Sequence, residues 1–240
     1  MTATRDATAF FRLPPLLQPG DEIAIAATAR PVEAEALRPF CQWLVDEGFR
    51  CRMAPNIGRQ HHVFAGTVDE RYQALQAMLD DPNLRAIWFA RGGYGSIHLL
   101  PHLDWTAFKR SPKWLVGFSD ACILLTQALN HGVSCLHAPM PYYYEAGAPE
   151  WAASLALLRG GREQWRQQQP NLIADHPTAG LWGGNLSTLL SLVGTPWAYQ
   201  GPPGLLLMEE VDEYLYHLDR QIFQLRWSHD SEISAIIAGQ

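Results

Sequence analysis

The sequence predicts an α/β protein with a parallel sheet that is covered on both faces. Two observations support this fold class: apolar runs of strand length alternate with segments of helical spacing, and glycine-rich corners follow two of the apolar runs. Ligands of such sheets bind at the carboxyl ends of the strands. We therefore expect functional residues at two corners, RGGYG (residues 91–95) and GFSD (residues 117–120).

The predicted elements follow one another along the chain. Apolar content predicts strands at EIAIAATA, LRAIWFA, KWLVGF and the short GVSCLHAPM, which are residues 22–29, 84–90, 113–118 and 132–140. Helical spacing predicts helices at residues 33–47, 68–81, 120–130 and 151–159. We expect Pro39 to weaken the first helix or to delay its start.

Composition excludes several classes of partner. With 48% hydrophobic residues, 18% charged residues and a formal net charge of −6, the chain is typical of a globular protein that acts on a small substrate, and we expect neither nucleic acid nor a membrane as partner. We see no secretory signal and no apolar run that could span a bilayer. The four cysteines are scattered, which predicts free thiols in a reducing cytoplasm.

The corner RGGYG follows a predicted strand directly. Gly92, Gly93 and Gly95 would let backbone N–H groups approach a ligand, because glycine tolerates positive φ and has no side chain. The spacing matches neither a dinucleotide-binding motif nor a P-loop. From these residues alone, a ligand-binding loop and a simple tight turn both remain open.

The second corner places Ser119 between a predicted strand and a predicted helix. The pattern Gly117-x-Ser119-x-Ala121 has the layout of a nucleophile elbow, in which small residues flank a catalytic serine. The backbone N–H of Asp120 would then face the developing oxyanion. A helix N-cap serine is the alternative, since its hydroxyl can accept from the first helical turn.

Two further features, Glu209 and the Gly183-Gly184-Asn185 segment, each have two possible interpretations, and the histidines indicate no site. Glu209 closes the apolar run GLLLM, where it is either a catalytic acid or a solvated strand end. Gly183-Gly184-Asn185 precedes a predicted helix, so Asn185 either lies in an anion-binding start or is an N-cap. The nine histidines show no metal-binding spacing, so no metal is expected.

Taken together, these segments resemble the LD-carboxypeptidase family of serine peptidases, the murein tetrapeptide carboxypeptidases, whose relatives include the microcin C immunity peptidases. The resemblance runs from Gly20 to Gln240 and rests on FAGTVDER, RGGYG, GFSD, HAPM, GGNL and LLLMEEVDEYLYHLDRQIFQL in that order. It implies a Rossmann-like N-terminal domain with a parallel sheet, and a smaller, strand-rich C-terminal domain that we expect to be truncated. The expected boundaries are 1–20 for a loose leader, 21–145 for the first domain, 146–178 for a linker and 179–240 for the second domain.

The resemblance also implies roles for individual residues. Ser119 matches the nucleophile, and Glu209 matches the carboxylate that orients a histidine. The site residues that it implies, besides these two, are Gly93 and Asp120 as backbone oxyanion donors and Arg91, Gly92 and Asn185 as substrate-binding residues. No cofactor and no metal are implied. The partner is a muropeptide, and the protein is expected to be a cytoplasmic homodimer.

One departure from the family pattern concerns the proton acceptor. The catalytic histidine of the family lies in a Gly-His motif after the strand that matches EISAIIAGQ, and none of the nine histidines here occupies that position. His137 matches a family histidine that is not the base. We favour a truncated enzyme as the explanation, and we expect the 240-residue chain itself to have little or no activity.

The function that follows is a serine carboxypeptidase that removes the terminal D-alanine from murein tetrapeptides in peptidoglycan recycling, by cleaving an L,D bond. A microcin C-type immunity peptidase, which cleaves an acyl-sulfamoyl adenylate, is the alternative in the same chemical class. A non-catalytic muropeptide-binding relative is the alternative from another class. An unrelated α/β hydrolase is disfavoured by the RGGYG and GGNL segments.

Overall fold

A computed structural model describes residues 11–161, 180–229 and 233–239. The strands are β1 (Glu22–Ala26), β2 (Arg50–Met53), β3 (Leu84–Phe89), β4 (Trp114–Gly117), β5 (Leu136–His137), β6 (Gly180–Asn185), β7 (Gly204–Glu209) and β8 (Ile233–Ala238). The α-helices are α1 (Ala34–Asp46), α2 (Val68–Asp80), α3 (Thr106–Arg110), α4 (Cys122–Asn130), α5 (Pro149–Leu158), α6 (Leu186–Leu190) and α7 (Leu215–His229). None of the helices within these ranges combines the length and the apolar content that crossing a bilayer requires.

The first sheet contains β1 to β5 in the order β2-β1-β3-β4-β5, and every pairing in it is parallel. The α/β prediction is therefore confirmed. In this strand order the chain reverses direction across the sheet between β1 and β3, which is where parallel sheets open a crevice for ligands. The strand β2 was not predicted, because its sequence RCRM has no apolar run.

Alternate side chains of the first sheet enter two separate apolar cores. On β3, Ile87 and Phe89 pack with residues of α2 and α4, whereas Ala86 and Trp88 pack with residues of α1 and α5. All four side chains are fully buried. Burial on both faces explains why LRAIWFA is a continuous apolar run rather than an alternating one.

The second sheet contains β6, β7 and β8 in sequence order, again with parallel pairing. It packs with α6 and α7 around Trp182, Leu206 and Leu225, and Leu129 of α4 joins the same cluster. The predicted smaller unit with several strands is thus confirmed, and α4 contacts both sheets. The domain boundaries stay a prediction, and residues 162–178 of the expected linker, together with residue 179 of the expected second domain, lie outside the described residues.

Two local features differ from expectation. Of the loose leader expected over residues 1–20, residues 1–10 lie outside the described residues, and part of the remainder is anchored: Leu17 is buried and its N–H donates to the Leu158 carbonyl at 2.9 Å, while Arg12 forms a β-bridge with Val133. Pro39 does not delay α1, which begins at Ala34 and includes the proline. The buried face formed by Leu37, Phe40 and Leu44 compensates for the hydrogen bond that a proline removes from a helix interior.

The prediction of four free thiols is wrong for one pair. Cys41 of α1 and Cys51 of β2 form a disulfide, with their Cα atoms 5.5 Å apart. The two residues are adjacent because the chain turns directly from α1 into the edge strand β2. Cys122 and Cys135 are free.

Candidate active site

Ser119 occupies a strained corner between β4 and α4. Its φ is +57°, a left-handed conformation that costs a residue with a side chain about 1–2 kcal/mol. A single 3-10 turn, Ser119–Ala121, connects the corner to α4. Neither that turn nor α4 has a side-chain cap, so the N-cap interpretation of Ser119 is wrong. Among the described residues, none shares a hydrogen bond with Ser119 Oγ, so the hydroxyl is available.

The RGGYG corner packs against this serine. A Cβ atom at Gly92 would lie 3.0 Å from Ser119 Oγ and 3.1 Å from Ser119 Cβ, so a side chain there would crowd the hydroxyl. Gly93 has a φ of +120°, and a Cβ atom there would overlap the side chain of Arg30. The corner is therefore both a tight turn and the wall of the space around Ser119.

Two backbone N–H groups near Ser119 are available to a ligand. No described group accepts a hydrogen bond from the N–H of Gly93 or of Asp120. The two residues follow β3 and β4, which are neighbouring parallel strands, so both lie at the same edge of the first sheet. Free N–H groups beside a serine hydroxyl are the arrangement that stabilises the oxyanion in acyl transfer.

The side chain of Asp120 ties the two corners together. Its Oδ2 accepts a hydrogen bond from the backbone N–H of Ser96 at 2.9 Å. Ser96 Oγ in turn donates to Thr28 Oγ1 at 2.8 Å, beyond the end of β1. The sequence assigned Asp120 a role for its N–H only, and nothing in the sequence indicated this side-chain contact.

Arg71 is a second residue that the sequence interpretation missed. It is 1% exposed and donates through Nη1 to the carbonyls of Thr28 at 2.6 Å and Gly95 at 2.9 Å. Burial lowers the pKa of Arg71, and the charge of Asp120 partly opposes that effect. Its position was a usable signal, because Arg71 falls on the same helical face as the buried Leu75 and Met78.

The two acids at the end of β7 have separate surroundings. Glu210 accepts hydrogen bonds from Asn185 Nδ2 at 2.8 Å and from the N–H and hydroxyl of Ser187. Glu209 Oε1 is buried and has no hydrogen-bond partner among the described residues, and it lies 3.7 Å from His137 Nε2. Of the two, Glu209 is the carboxylate that is free to act on another group.

Two side chains expected to bind substrate are engaged elsewhere. Asn185 caps α6, since its Oδ1 accepts from the N–H of Thr188 at 3.0 Å, which confirms the N-cap interpretation. Arg91 donates to the Pro31 carbonyl at 3.2 Å, and its guanidinium lies 4.0 Å from the centre of the Tyr142 ring. Their roles in substrate binding stay predictions.

Cys122 lies one helical turn beyond Ser119 but is not a second nucleophile. Burial raises the pKa of its thiol to about 12, and the nearby carboxylate of Glu209 contributes in the same direction. The reactive form of cysteine is the thiolate, so this thiol is inert toward substrate at neutral pH. Of these two side chains, Ser119 is the one whose hydroxyl is available to act as a nucleophile.

Comparison with known proteins decides the family. A model described as the LD-carboxypeptidase N-terminal domain matches residues 23–138, and one described as the LD-carboxypeptidase C-terminal domain matches residues 178–240. This chain belongs to the LD-carboxypeptidase family. It is accordingly a serine-type carboxypeptidase.

Named relatives support the same assignment. The murein tetrapeptide carboxypeptidase of Pseudomonas aeruginosa is 32% identical over 237 residues, which cover 92% of this chain and 77% of that protein. The solved muramoyltetrapeptide carboxypeptidase from Oxalobacter formigenes is 26% identical, with a TM-score of 0.75 over 91% of this chain and 76% of that one. The microcin C7 self-immunity protein MccF, solved with aspartyl sulfamoyl adenosine, shares the fold at a TM-score of 0.79 and 23% identity, over 95% of this chain and 80% of that one.

Proposed function

We propose that this LD-carboxypeptidase family member releases the terminal D-alanine of murein tetrapeptides by cleaving the L,D bond that precedes it. The observation that carries the proposal is Ser119 at φ +57°, beside the unpaired N–H groups of Gly93 and Asp120. The substrate class rests on the relatives named for murein and muramoyl tetrapeptides. A cytoplasmic location, a role in peptidoglycan recycling and a homodimer belong to the same proposal.

In the proposed mechanism, Ser119 Oγ attacks the carbonyl carbon of the scissile bond and its proton passes to the histidine of the family's Gly-His motif, which none of the nine histidines in residues 1–240 matches. The new C–O bond converts the carbonyl oxygen into an oxyanion, which accepts hydrogen bonds from the N–H groups of Gly93 and Asp120. Glu209 holds that histidine and stabilises its positive charge. The buried and unpaired Glu209 Oε1 supports this role, because an ionised carboxylate accepts such a hydrogen bond.

The second half of the proposed mechanism returns the proton. The oxyanion collapses, the C–N bond breaks and the histidine protonates the departing amine of D-alanine. Water then attacks the acyl carbon, breaks the ester bond to Ser119 and regenerates the hydroxyl. Ser119, the oxyanion donors and Glu209 all lie at or just beyond the carboxyl ends of strands, where parallel sheets bind ligands.

The proposal is tested by incubating murein tetrapeptide with the protein made from its complete reading frame, including any residues that follow Gln240, and measuring D-alanine with a D-amino-acid oxidase assay. We expect turnover by that protein and little or none by residues 1–240 alone. In the active protein, Ser119→Ala should lower kcat by at least about 10⁴-fold because it removes the proposed nucleophile. Glu209→Gln should lower kcat by about 10³- to 10⁴-fold, since a neutral amide cannot stabilise the histidine cation.

Matched variants separate chemistry from folding. Ser154→Ala removes a buried hydroxyl that bonds within α5, and Glu213→Gln neutralises a carboxylate that contacts His217; both should retain wild-type kcat. Hydrolysis of aspartyl sulfamoyl adenosine without release of D-alanine would replace the proposal with an immunity-type peptidase. Muropeptide binding without turnover of either substrate would replace it with a binding protein.

A further inference from the structure

A cluster of three side chains lies behind Ser119, where the two sheets meet. Cys122 comes from the start of α4, His137 from the end of β5 and Glu209 from the end of β7. Their potential ligand atoms, Cys122 Sγ, a ring nitrogen of His137 and a carboxylate oxygen of Glu209, all lie within 4.8 Å of one another. Three donor atoms of different chemistry thus face one small volume.

Two of the three donors have no partner in the described part of the chain. His137 Nε2 and Glu209 Oε1 are both buried without a hydrogen bond, and the 3.7 Å between them is too long for one. The third, Cys122 Sγ, accepts only a weak bond from the N–H of Asn185 at 3.4 Å. Buried polar atoms are almost always satisfied, so two orphans aimed at one point indicate a missing ligand.

The donor set selects the kind of ligand. Sulfur and imidazole nitrogen bind borderline or soft divalent metals, and they exclude Mg²⁺ and Ca²⁺, which require oxygen. Ligand atoms of a tetrahedral Zn²⁺ site are about 3.3–3.7 Å apart, as follows from metal-ligand bonds of about 2.0–2.3 Å. The observed separation of 3.7 Å between His137 and Glu209 already fits, and the thiol would have to move by about 1 Å.

We propose that Cys122, His137 and Glu209 bind one zinc ion, with a water molecule or a substrate group in the fourth position. On binding, the Cys122 S–H bond breaks, a Zn–S bond forms and one proton is released to solvent. His137 binds through neutral Nε2, and Glu209 binds through a carboxylate oxygen. This ligand set has three protein donors and one open position, as in zinc sites that exchange their fourth ligand.

Occupation of this site affects the peptidase if the proposed function holds. A zinc ion on Glu209 removes the carboxylate that the proposed mechanism uses to hold a histidine. Zinc is therefore expected to inhibit the release of D-alanine reversibly, with activity restored by a chelator. Metal binding itself does not depend on the proposed function, so the two claims can fail separately.

The test uses untagged protein freed of metal with a chelator. We expect one equivalent of Zn²⁺ to bind in equilibrium dialysis, and one equivalent of Co²⁺ to produce a thiolate-to-cobalt charge-transfer band together with the visible bands of a tetrahedral site. Cys122→Ser should abolish the charge-transfer band. It should also weaken zinc binding by more than the roughly 10- to 100-fold that loss of an outer-shell partner costs.

Cys135→Ser is the matched control, because Cys135 is the other free cysteine and lies outside the cluster. It should retain both the band and the zinc. Glu209→Gln is the second test variant; it preserves side-chain shape and should weaken zinc binding even if Cys122→Ser fails to fold. The proposal is overturned if wild-type protein binds no stoichiometric zinc, or if Glu209→Gln and Cys122→Ser bind it as tightly as wild type.

Discussion

Ser119 has a strained backbone conformation that leaves its hydroxyl free of hydrogen bonds to the described residues. The φ of +57° is an unfavourable one for any residue with a Cβ atom, and the neighbouring Gly92 leaves no room for a second side chain at the corner. Strain at this residue is therefore coupled to the exposure of Oγ. The stability of the protein and the accessibility of its proposed nucleophile oppose each other at one position.

This opposition predicts the ranking of two inactive variants. Ser119→Gly should unfold with a free energy about 0.5–1 kcal/mol larger than Ser119→Ala, because relief of the left-handed conformation exceeds the entropy that glycine adds to the unfolded chain. Urea denaturation of both variants measures the difference. Ser119→Ala keeps the Cβ atom of the wild type and serves as the reference. If Ser119→Gly is less stable than Ser119→Ala, the backbone at residue 119 is not strained.

For individual residues, the sequence indicated which positions belong to the candidate site more successfully than it indicated which side chains contact one another. The local pattern around Ser119 left an N-cap and a nucleophile both open, and the resemblance to the LD-carboxypeptidases selected it as the expected nucleophile. The contacts of Asp120 with Ser96 could not be predicted, since they join residues of two loops whose separation only the folded sheet sets. Arg71 was predictable in principle, as a charged residue on an apolar helical face.

Among the elements, α2 acts on the site although no residue of it touches Ser119 in the described contacts. Thr67 and Glu70 form a capping box that fixes the start of the helix, a T-x-x-E signal that the sequence contains and that we did not use. One turn later, Arg71 reaches the carbonyls of Thr28 and Gly95. The helix thereby holds the loops after β1 and β3 in register.

Loss of Arg71 should therefore impair catalysis, because the loops after β1 and β3 would no longer be held in place. Arg71→Met removes the donor to the Thr28 carbonyl and one of the two donors to the Gly95 carbonyl, which also accepts from the His98 N–H, and we expect it to lower the free energy of unfolding by about 2–4 kcal/mol. Because Gly93 lies in the loop that Arg71 holds, kcat should fall about 10-fold or more while KM changes less. Steady-state kinetics and urea denaturation measure the two effects.

The control for this variant is Arg38→Met on α1. Arg38 forms an exposed ion pair with Glu35, so its loss should change stability by less than about 0.5 kcal/mol and leave kcat unaltered. If Arg71→Met loses stability but keeps the wild-type kcat in the folded fraction, Arg71 has a structural role only.

In the molecule as a whole, the site depends on how closely the two sheets approach. Gly184 of the second sheet lies against Cys122 of α4 and His137 of the first sheet, and a Cβ atom at this glycine would overlap Cys122 Sγ. Ser119 belongs to one side of this contact and Glu209 to the other. The distance between the proposed nucleophile and the proposed triad carboxylate is thus set by a contact that admits no side chain.

Gly184→Ala should therefore lower both stability and activity. The added methyl group forces β6 away from α4, so we expect a loss of about 2–4 kcal/mol in the free energy of unfolding and a fall in kcat. Gly194→Ala is the matched control, since Gly194 also has a positive φ of 79° but has open space around it. Gly194→Ala should cost about 1 kcal/mol and retain kcat; equal effects of the two variants would show that φ alone is responsible.

Relationships at this scale were the hardest to predict from the sequence. The fold class followed from local patterns, because the buried strands have continuous apolar runs and the helices have apolar faces. The grouping of Cys122, His137 and Glu209 did not, since 15 and 72 residues (137 − 122 and 209 − 137) separate them and no spacing rule connects them. The expectation of no metal rested on the spacing of the histidines and on the family resemblance, and neither considers side chains that are distant in the sequence and close in the fold.

The bond between Asp120 and Ser96 has a further consequence for the energetics of turnover. It links the loop that carries Gly93, one proposed oxyanion donor, to the turn that carries Asp120, the other, before any substrate is present. The two dipoles are consequently oriented during folding, and no solvent or protein dipole has to rotate when negative charge develops on the substrate. The free energy needed to orient these dipoles is therefore supplied when the first sheet folds. It does not add to the barrier of the first chemical step.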